Sequence, residues 1–80
     1  MATKPNHALI YRQVPGFLAG LRENAGITQR QLAQKIRMSQ WWVARIETGS
    51  RRVDVAEFIL FCLGCNVDPT NALRQLQRRQ

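Results

Sequence analysis

The chain has 80 residues, 45% of them hydrophobic, which suffices for one compact domain with a small core. This composition excludes wholesale disorder, and no apolar run approaches the roughly 20 residues that a membrane helix needs. Twelve Lys and Arg residues oppose five Asp and Glu residues, giving a net charge of +7. Eleven of the twelve basic residues lie from Arg12 onward, so the charge belongs to the domain. It favours a polyanionic partner, most often nucleic acid, over a merely solvated surface.

The first 13 residues carry no clear helix caps or periodicity, and they predict a partly flexible arm. The three residues Leu9-Ile10-Tyr11 are consistent with a short strand or with packing of the arm on the rest of the domain. The polar start, residues 1–7, has no signal-peptide pattern, and we expect a soluble, cytoplasmic chain. Residues 14–80 are expected to form a single domain.

Five short helices are predicted after the arm, and nothing reads as a confident strand. Each helix has recognisable start or stop signals: Pro15 and Gly26 for the first, Thr28 with Gln31 for the second, Ser39 and Gly49 for the third, Asp54 with Glu57 for the fourth, and Asp68-Pro69 for the fifth. The fold class is therefore all-α.

Apolar residues recur at helical spacing in all five predicted helices, which places them on buried faces. They are Phe17, Leu18, Leu21 and Ala25 in the first, Leu32, Ala33 and Ile36 in the second, Val43 and Ile46 in the third, Val55, Phe58, Ile59, Cys62 and Leu63 in the fourth, and Ala72, Leu73 and Leu76 in the fifth.

The link between the second and third predicted helices is very short. Only Arg37-Met38 separates the end of one from the N-cap of the next at Ser39. Ala33 supplies the small side chain that two closely crossing helices favour. This arrangement is typical of a helix-turn-helix, whose second helix is free to enter a DNA major groove.

The sequence of these two helices closely resembles the Cro and phage-repressor type of helix-turn-helix, the XRE family. The resemblance rests on residues 25–33 and 39–49 and extends over roughly residues 14–70. It implies a compact, five-helix, lambda-repressor-like domain that binds double-stranded DNA as a transcriptional regulator, commonly a repressor. Members of the family typically dimerise and bind inverted repeats. We therefore expect a homodimer, with its interface on the fifth helix and the end of the fourth, where Leu73 and Leu76 would be exposed.

The third helix is the predicted reading helix. With Val43 pointing inward, Trp41 and Arg45 fall roughly 160° away, on the opposite face. Ala44 flanks them, and Gln40 lies at the helix start, from which it can reach a base edge. Gln40 resembles the family residue that reads a base, and glutamine suits adenine. These four residues are the expected base readers.

The two adjacent tryptophans depart from the family, which commonly has small polar residues there. An exposed Trp41 is expected to contact thymine methyls and sugars, and the alternative is a partner protein. Trp42 lies about 100° from the core direction, so it either packs at the domain boundary or contacts the DNA backbone.

Several polar side chains around the helix pair are expected to contact phosphates, and the alternative for each is a solvated surface. Gln29 resembles a family residue that contacts a phosphate and often braces Gln40. Arg37 replaces a common glycine, so the turn either stays left-handed at a cost of about 1 kcal/mol or is altered. The set is Gln29, Arg30, Arg37, Arg51 and Arg52, with Trp42 if it faces DNA.

Glu47 matches a family position that pairs with an arginine of the first helix, and Arg22 occupies the matching place. The resemblance thus implies a structural ion pair between them. The alternative is an Arg22 side chain that faces DNA.

No catalytic or metal site can be assembled from the sequence, and neither an enzyme nor a cofactor is expected. Cys62 and Cys65 form a C-x-x-C, but a second thiolate pair is lacking and His7 is the sole histidine. Buried, reduced cysteines are favoured. The rival function is a protein-interaction module of the same fold, such as an antitoxin or an accessory protein.

Overall fold

The computed structural model describes residues 6–79, which contain helices and no strand. The helices are α1 His7–Tyr11, α2 Val14–Asn24, α3 Gln29–Ile36, α4 Gln40–Thr48, α5 Val55–Gly64 and α6 Pro69–Arg78. The five predicted helices correspond to α2–α6, so the all-α prediction is confirmed. In this part of the chain no helix is long and apolar enough to cross a membrane.

The additional helix, α1, lies within the predicted arm. Asn6 caps it by accepting a hydrogen bond from the Leu9 amide, 3.1 Å away. Its last residue, Tyr11, is half-buried, and the Tyr11 hydroxyl accepts a hydrogen bond from the Val53 amide at 2.6 Å. Residues 7–11 are thus helical, and Tyr11 attaches this part of the arm to the loop before α5. The first five residues of the predicted arm lie outside the described residues.

The predicted N-caps form as local sequence dictates. Thr28, Ser39, Asp54 and Asp68 each accept a backbone amide of the following turn. In α3 and α5 the residue at the third helical position returns a hydrogen bond to the cap amide, completing a capping box. The starts of these four helices were therefore predictable from local sequence.

The turn between α3 and α4 keeps the left-handed geometry despite its arginine. Arg37 has φ 58° and ψ 40°, and the Met38 amide donates to the Ala33 carbonyl at 3.0 Å. This hydrogen bond closes the C-terminus of α3 as a glycine-ended turn does. Of the two alternatives for this turn, the left-handed geometry is therefore the one that forms. The positive φ is retained, at a cost of roughly 1 kcal/mol relative to glycine.

The core lies where α2, α3, α4 and α5 converge. Its fully buried side chains come from all four helices: Leu18, Leu32, Val43, Ile46, Phe61 and Cys62. The faces predicted for α3 and α4 are confirmed, because Leu32, Ala33, Ile36, Val43 and Ile46 are all buried. These two helices are therefore held against the core by the residues opposite their solvent faces.

The predicted buried stripe of α5 is largely wrong. Val55, Ile59 and Leu63 are exposed, at 77%, 41% and 57% of their surfaces, whereas Phe61 and Cys62 are fully buried. The cause is that α5 is apolar almost all round, so periodicity alone admits more than one inward face. In α6, by contrast, Ala72 and Leu76 are buried and Leu73 is 58% exposed. Only one of the two leucines expected at a subunit interface is thus exposed.

Gly64 lets α5 approach α3 closely. A Cβ atom at this position would lie 2.5 Å from Leu32 Cδ1 and 2.6 Å from Ile36 Cγ2, and both side chains are buried. We expect Gly64→Ala to lower the free energy of unfolding by about 1–2 kcal/mol, because overpacking outweighs the helix propensity of alanine. Urea denaturation measures the change.

Gly20, inside α2, is the matched control. A Cβ atom there would meet nothing within 4 Å. Gly20→Ala is expected to stabilise the protein by about 0.5–1 kcal/mol. An equal gain from Gly64→Ala would show that α5 and α3 are not in close contact.

Candidate nucleic-acid interface

Helix α4 has one buried and one open face. Trp42, Val43 and Ile46 are at most 6% exposed and form the inner face. On the outer face Gln40 is exposed, and Trp41 is 67% exposed. Ala44 and Arg45 are half-buried beside them. The four residues predicted to read bases thus lie outside the buried face of α4.

The side chain of Arg45 is held in place within this outer face. Its guanidinium carbon lies 4.5 Å from the centre of the Trp41 ring, a cation–π geometry. Its Nε donates to Ser50 Oγ at 3.2 Å, and NH2 donates to the Ser50 carbonyl at 3.4 Å. Ser50, in the loop after α4, was not anticipated from the sequence, since nothing in its local pattern distinguishes it. Trp41 and Arg45 therefore form one ordered unit.

The two glutamines that begin α3 and α4 have different partners. Gln29 donates through Nε2 to Glu47 Oε1 at 3.0 Å. Gln40 Oε1 accepts instead from Arg30 Nε, at the long distance of 3.5 Å. The structure therefore places Gln29 against Glu47 and gives Gln40 a contact with Arg30, unlike the expected bracing of Gln40 by Gln29. Both Arg30 and Gln40 remain exposed at the surface.

The Arg22–Glu47 pair is present and is mostly buried. Arg22 Nε and NH2 donate to the two carboxylate oxygens at 2.6 and 3.0 Å, and the side chains are 14% and 6% exposed. Arg22 NH1 also donates to the Ile27 carbonyl at 2.8 Å. The hydrogen bond to Glu47 is the main reason that the pKa of Arg22 is raised. This bidentate contact joins α2 to α4 and fixes the position of α4.

The remaining predicted phosphate contacts flank α4, and two of them have protein partners. Arg51 NH2 donates to Glu57 Oε2 at 2.7 Å. Arg52 NH1 lies 3.2 Å from His7 Nε2, and the Arg52 guanidinium lies 4.9 Å from the Tyr11 ring centre. Arg37 projects from the turn as an exposed residue. Packing of the arm on the body was one of the alternatives for residues 9–11, but the sequence did not indicate that His7 and Tyr11 would contact Arg52.

Trp42 belongs to the core. It is 6% exposed, its ring centre lies 6.5 Å from that of Phe61, and its Nε1 donates to Glu57 Oε2 at 3.3 Å. Of the two alternatives for Trp42, this placement favours packing over a backbone contact with DNA. A buried ring with an occupied N–H offers little to a phosphate.

The chain is similar in sequence and in structure to known helix-turn-helix proteins. A model of the helix-turn-helix domain family matches residues 16–76. An XRE-family like protein from Pseudomonas syringae pv. tomato is 36% identical, with a TM-score of 0.85 over 92% of this chain and 90% of that one. The chain belongs to the XRE family of helix-turn-helix proteins. No curated protein matches it in sequence.

Two further solved structures share the fold of this XRE-family protein at lower identity. The wild-type restriction-modification controller protein C.Esp1396I is 23% identical, with a TM-score of 0.79 over 86% of this chain and 90% of that one. The clp gene regulator ClgR from C. glutamicum is 19% identical, with a TM-score of 0.78 over 96% of each chain. Both likenesses concern the fold alone.

The two cysteines of this XRE-family protein are buried and free. Burial is the main reason that the pKa of each thiol is raised to about 11. Few thiolates therefore exist near neutral pH, which opposes redox reactivity of the C-x-x-C. Within residues 6–79, no group of three His, Cys, Asp or Glu side chains is placed to hold a metal ion.

Proposed function

We propose that this XRE-family protein is a sequence-specific, double-stranded-DNA-binding transcriptional regulator that represses by occupying its operator. The observation that carries the proposal is the division of α4 into a buried apolar face and an open face bearing Gln40, Trp41 and Arg45. A helix held in this way projects its outer side chains into a major groove about 12 Å wide.

The side chains of the outer face suit base recognition. Gln40 can pair its amide with adenine, and the guanidinium of Arg45 can form two hydrogen bonds with guanine. Trp41 offers an apolar surface to thymine methyls, and the small Ala44 allows close approach. Because Arg45 already lies over Trp41, little side-chain freedom remains to be lost on binding.

Phosphate contacts are assigned to the polar side chains beside α3 and α4. They are Gln29, Arg30, Arg37, Arg51 and Arg52. The net charge of +7 attracts the DNA backbone, and the amide groups at the start of both helices favour anions. These contacts set register and affinity, whereas α4 reads the sequence. Trp42 is left out of the set because it is buried.

We further propose a homodimer formed across an apolar cleft of about 340 Å³ between α1, α5 and α6. Exposed apolar side chains of α5 and α6 line the cleft, and a second copy would cover them on binding. The cleft brings together residues that the chain leaves uncovered, namely Val55, Ile59 and Leu73. Two reading helices related by a two-fold axis would then meet an inverted repeat.

Leu73→Asp should dissociate this dimer without unfolding the subunit. Leu73 is 58% exposed, so aspartate is solvated in the monomer, whereas an apolar interface would bury its charge. Sedimentation equilibrium is expected to show at least a hundredfold increase in the dimer dissociation constant, on the order of 3 kcal/mol. Arg74→Asp, at the neighbouring exposed position outside the cleft lining, is the control. An unchanged dimer in Leu73→Asp would place the interface elsewhere.

Selection from a randomised duplex pool tests the proposed function most directly. We expect a consensus with two inverted half-sites about 10 base pairs apart or a multiple of that spacing. Titration of the selected duplex at several salt concentrations should show affinity falling steeply as salt rises, because phosphate contacts release counterions. Recovery of no consensus, with equal affinity for every duplex, would contradict sequence-specific regulation.

One observation favours the second candidate function, a protein-interaction module. Trp41 exposes 67% of its surface, which is a large apolar area for a helix facing water. A partner protein could cover it in place of DNA. The two functions differ in whether the loss of Trp41 changes the preference for particular DNA sequences.

A further inference from the structure

Glu57 connects three parts of the molecule through one side chain, which is 18% exposed. Its Oε1 accepts the Asp54 amide at 2.9 Å and completes the capping box of α5. Its Oε2 accepts from Trp42 Nε1 at 3.3 Å and from Arg51 NH2 at 2.7 Å. One carboxylate thus joins the start of α5, the inner face of α4 and the loop that follows α4.

The capping box alone does not require a carboxylate. In α3 of the same chain, Gln31 fills the equivalent position, and its Oε1 accepts the Thr28 amide at 2.8 Å. A glutamine has one acceptor oxygen, and its other terminal atom is an NH₂ donor. At position 57 that donor would face the N–H groups of Trp42 and Arg51. Both outside contacts therefore depend on the second carboxylate oxygen.

We propose that Glu57 is a positioning residue for DNA binding, which orients Arg51 toward a phosphate and fixes α4 through Trp42. The inference rests on the proposed function. Arg51 uses NH2 for Glu57, its side chain is 42% exposed, and its guanidinium has further N–H groups that can reach an anion. The Arg51 amide also donates to the Arg45 carbonyl at 3.2 Å, which holds the loop to the end of α4.

Long-range electrostatics and positioning predict opposite effects of removing this charge. Glu57→Gln raises the net charge from +7 to +8, which by itself strengthens binding to a polyanion. Positioning predicts weaker binding, because Arg51 must be ordered anew when the complex forms. The direction of the change therefore separates the two effects.

The test compares Glu57→Gln with Glu23→Gln, using the full chain and the selected operator duplex. Glu23 is an exposed residue of α2, so the control makes the same chemical change with the same net charge. We expect Glu57→Gln to weaken operator binding about tenfold, since each subunit of a dimer must order one side chain. Glu23→Gln should bind as the parent does or slightly more tightly.

An Arg51→Ala background shows whether the effect passes through Arg51. There Glu57→Gln should weaken binding by no more than about threefold, the remainder reflecting the contact with Trp42. Operator binding by Glu57→Gln as tight as by Glu23→Gln would overturn the positioning role. A tenfold loss that persists in full without Arg51 would overturn the part assigned to Arg51.

A readout without DNA keeps this inference distinct from the proposed function. In the free protein, Glu57→Gln should shift the NMR signal of the Trp42 indole N–H and speed its hydrogen exchange. The exposed Trp41 indole is the internal reference and should not change. An unchanged Trp42 signal would refute the contact itself. Failure of the parent to bind any selected duplex would instead refute the proposed function, whatever the indole signals show.

Discussion

Glu47→Ala is expected to lower the free energy of unfolding by about 3–5 kcal/mol, because it leaves the mostly buried Arg22 guanidinium without its partner. Arginine cannot escape this penalty by losing its proton. Gln29 loses its acceptor as well. For a domain of this size the loss lowers Tm by on the order of 20 °C, which thermal denaturation followed by circular dichroism measures.

A double substitution separates the stranded charge from the loss of packing. Arg22→Met with Glu47→Leu removes both charges and keeps apolar volume, so it should recover most of the stability that Glu47→Ala loses. Glu23→Ala, which removes an exposed carboxylate from the neighbouring position of α2, should change stability by less than about 0.5 kcal/mol. A similarly small effect of Glu47→Ala would mean that the pair does not hold α2 to α4.

Trp41→Ala should abolish preference for the selected operator while preserving most non-specific binding. Each lost base contact costs about 1–3 kcal/mol of discrimination, and the proposed dimer loses two, so specific affinity falls by about 30-fold to about 25,000-fold. The phosphate contacts remain, so affinity for unrelated duplex changes little. Fluorescence anisotropy with operator and scrambled duplexes measures both quantities.

Leu63→Ala is the control for removing an exposed apolar side chain, since Leu63 is 57% exposed on α5 and lies outside both α4 and the cleft lining. It should leave both affinities unchanged. Trp41→Ala should also unfold at the parent's urea concentration, because the ring is exposed. Unchanged operator preference in Trp41→Ala would contradict base contact by this ring and would leave the rival function as the explanation for its exposure.

The starts of α3, α4, α5 and α6 could be predicted because their signals are local. A cap such as Thr28 and its partner Gln31 lie three residues apart, and the same two residues make the hydrogen bonds that start α3. The inner face of α4 was predictable for a similar reason. Apart from the tryptophans, the neighbours of Val43 and Ile46 are mostly polar. The helical period therefore assigns one side of α4 to the core without ambiguity.

Local signals could not predict which side of α5 faces the core, or which partners the polar side chains contact. Almost every residue of α5 is apolar, and the close approach at Gly64 is a property of tertiary packing. Gln29 contacts Glu47, 18 positions away, and Arg52 contacts His7, 45 positions away. Such pairs depend on how whole helices are arranged, which local patterns do not encode.

The buried link among Arg22, Gln29 and Glu47 bears on how an operator could evolve. It joins α2, α3 and α4, so α4 has little freedom to tilt against the rest of the domain. In the proposed dimer, the interval between half-sites is then determined by α5 and α6, which touch no base. Substitutions on the cleft would change the permitted spacing, and substitutions on α4 would change the half-site. The two properties could therefore diverge independently among descendants of one protein.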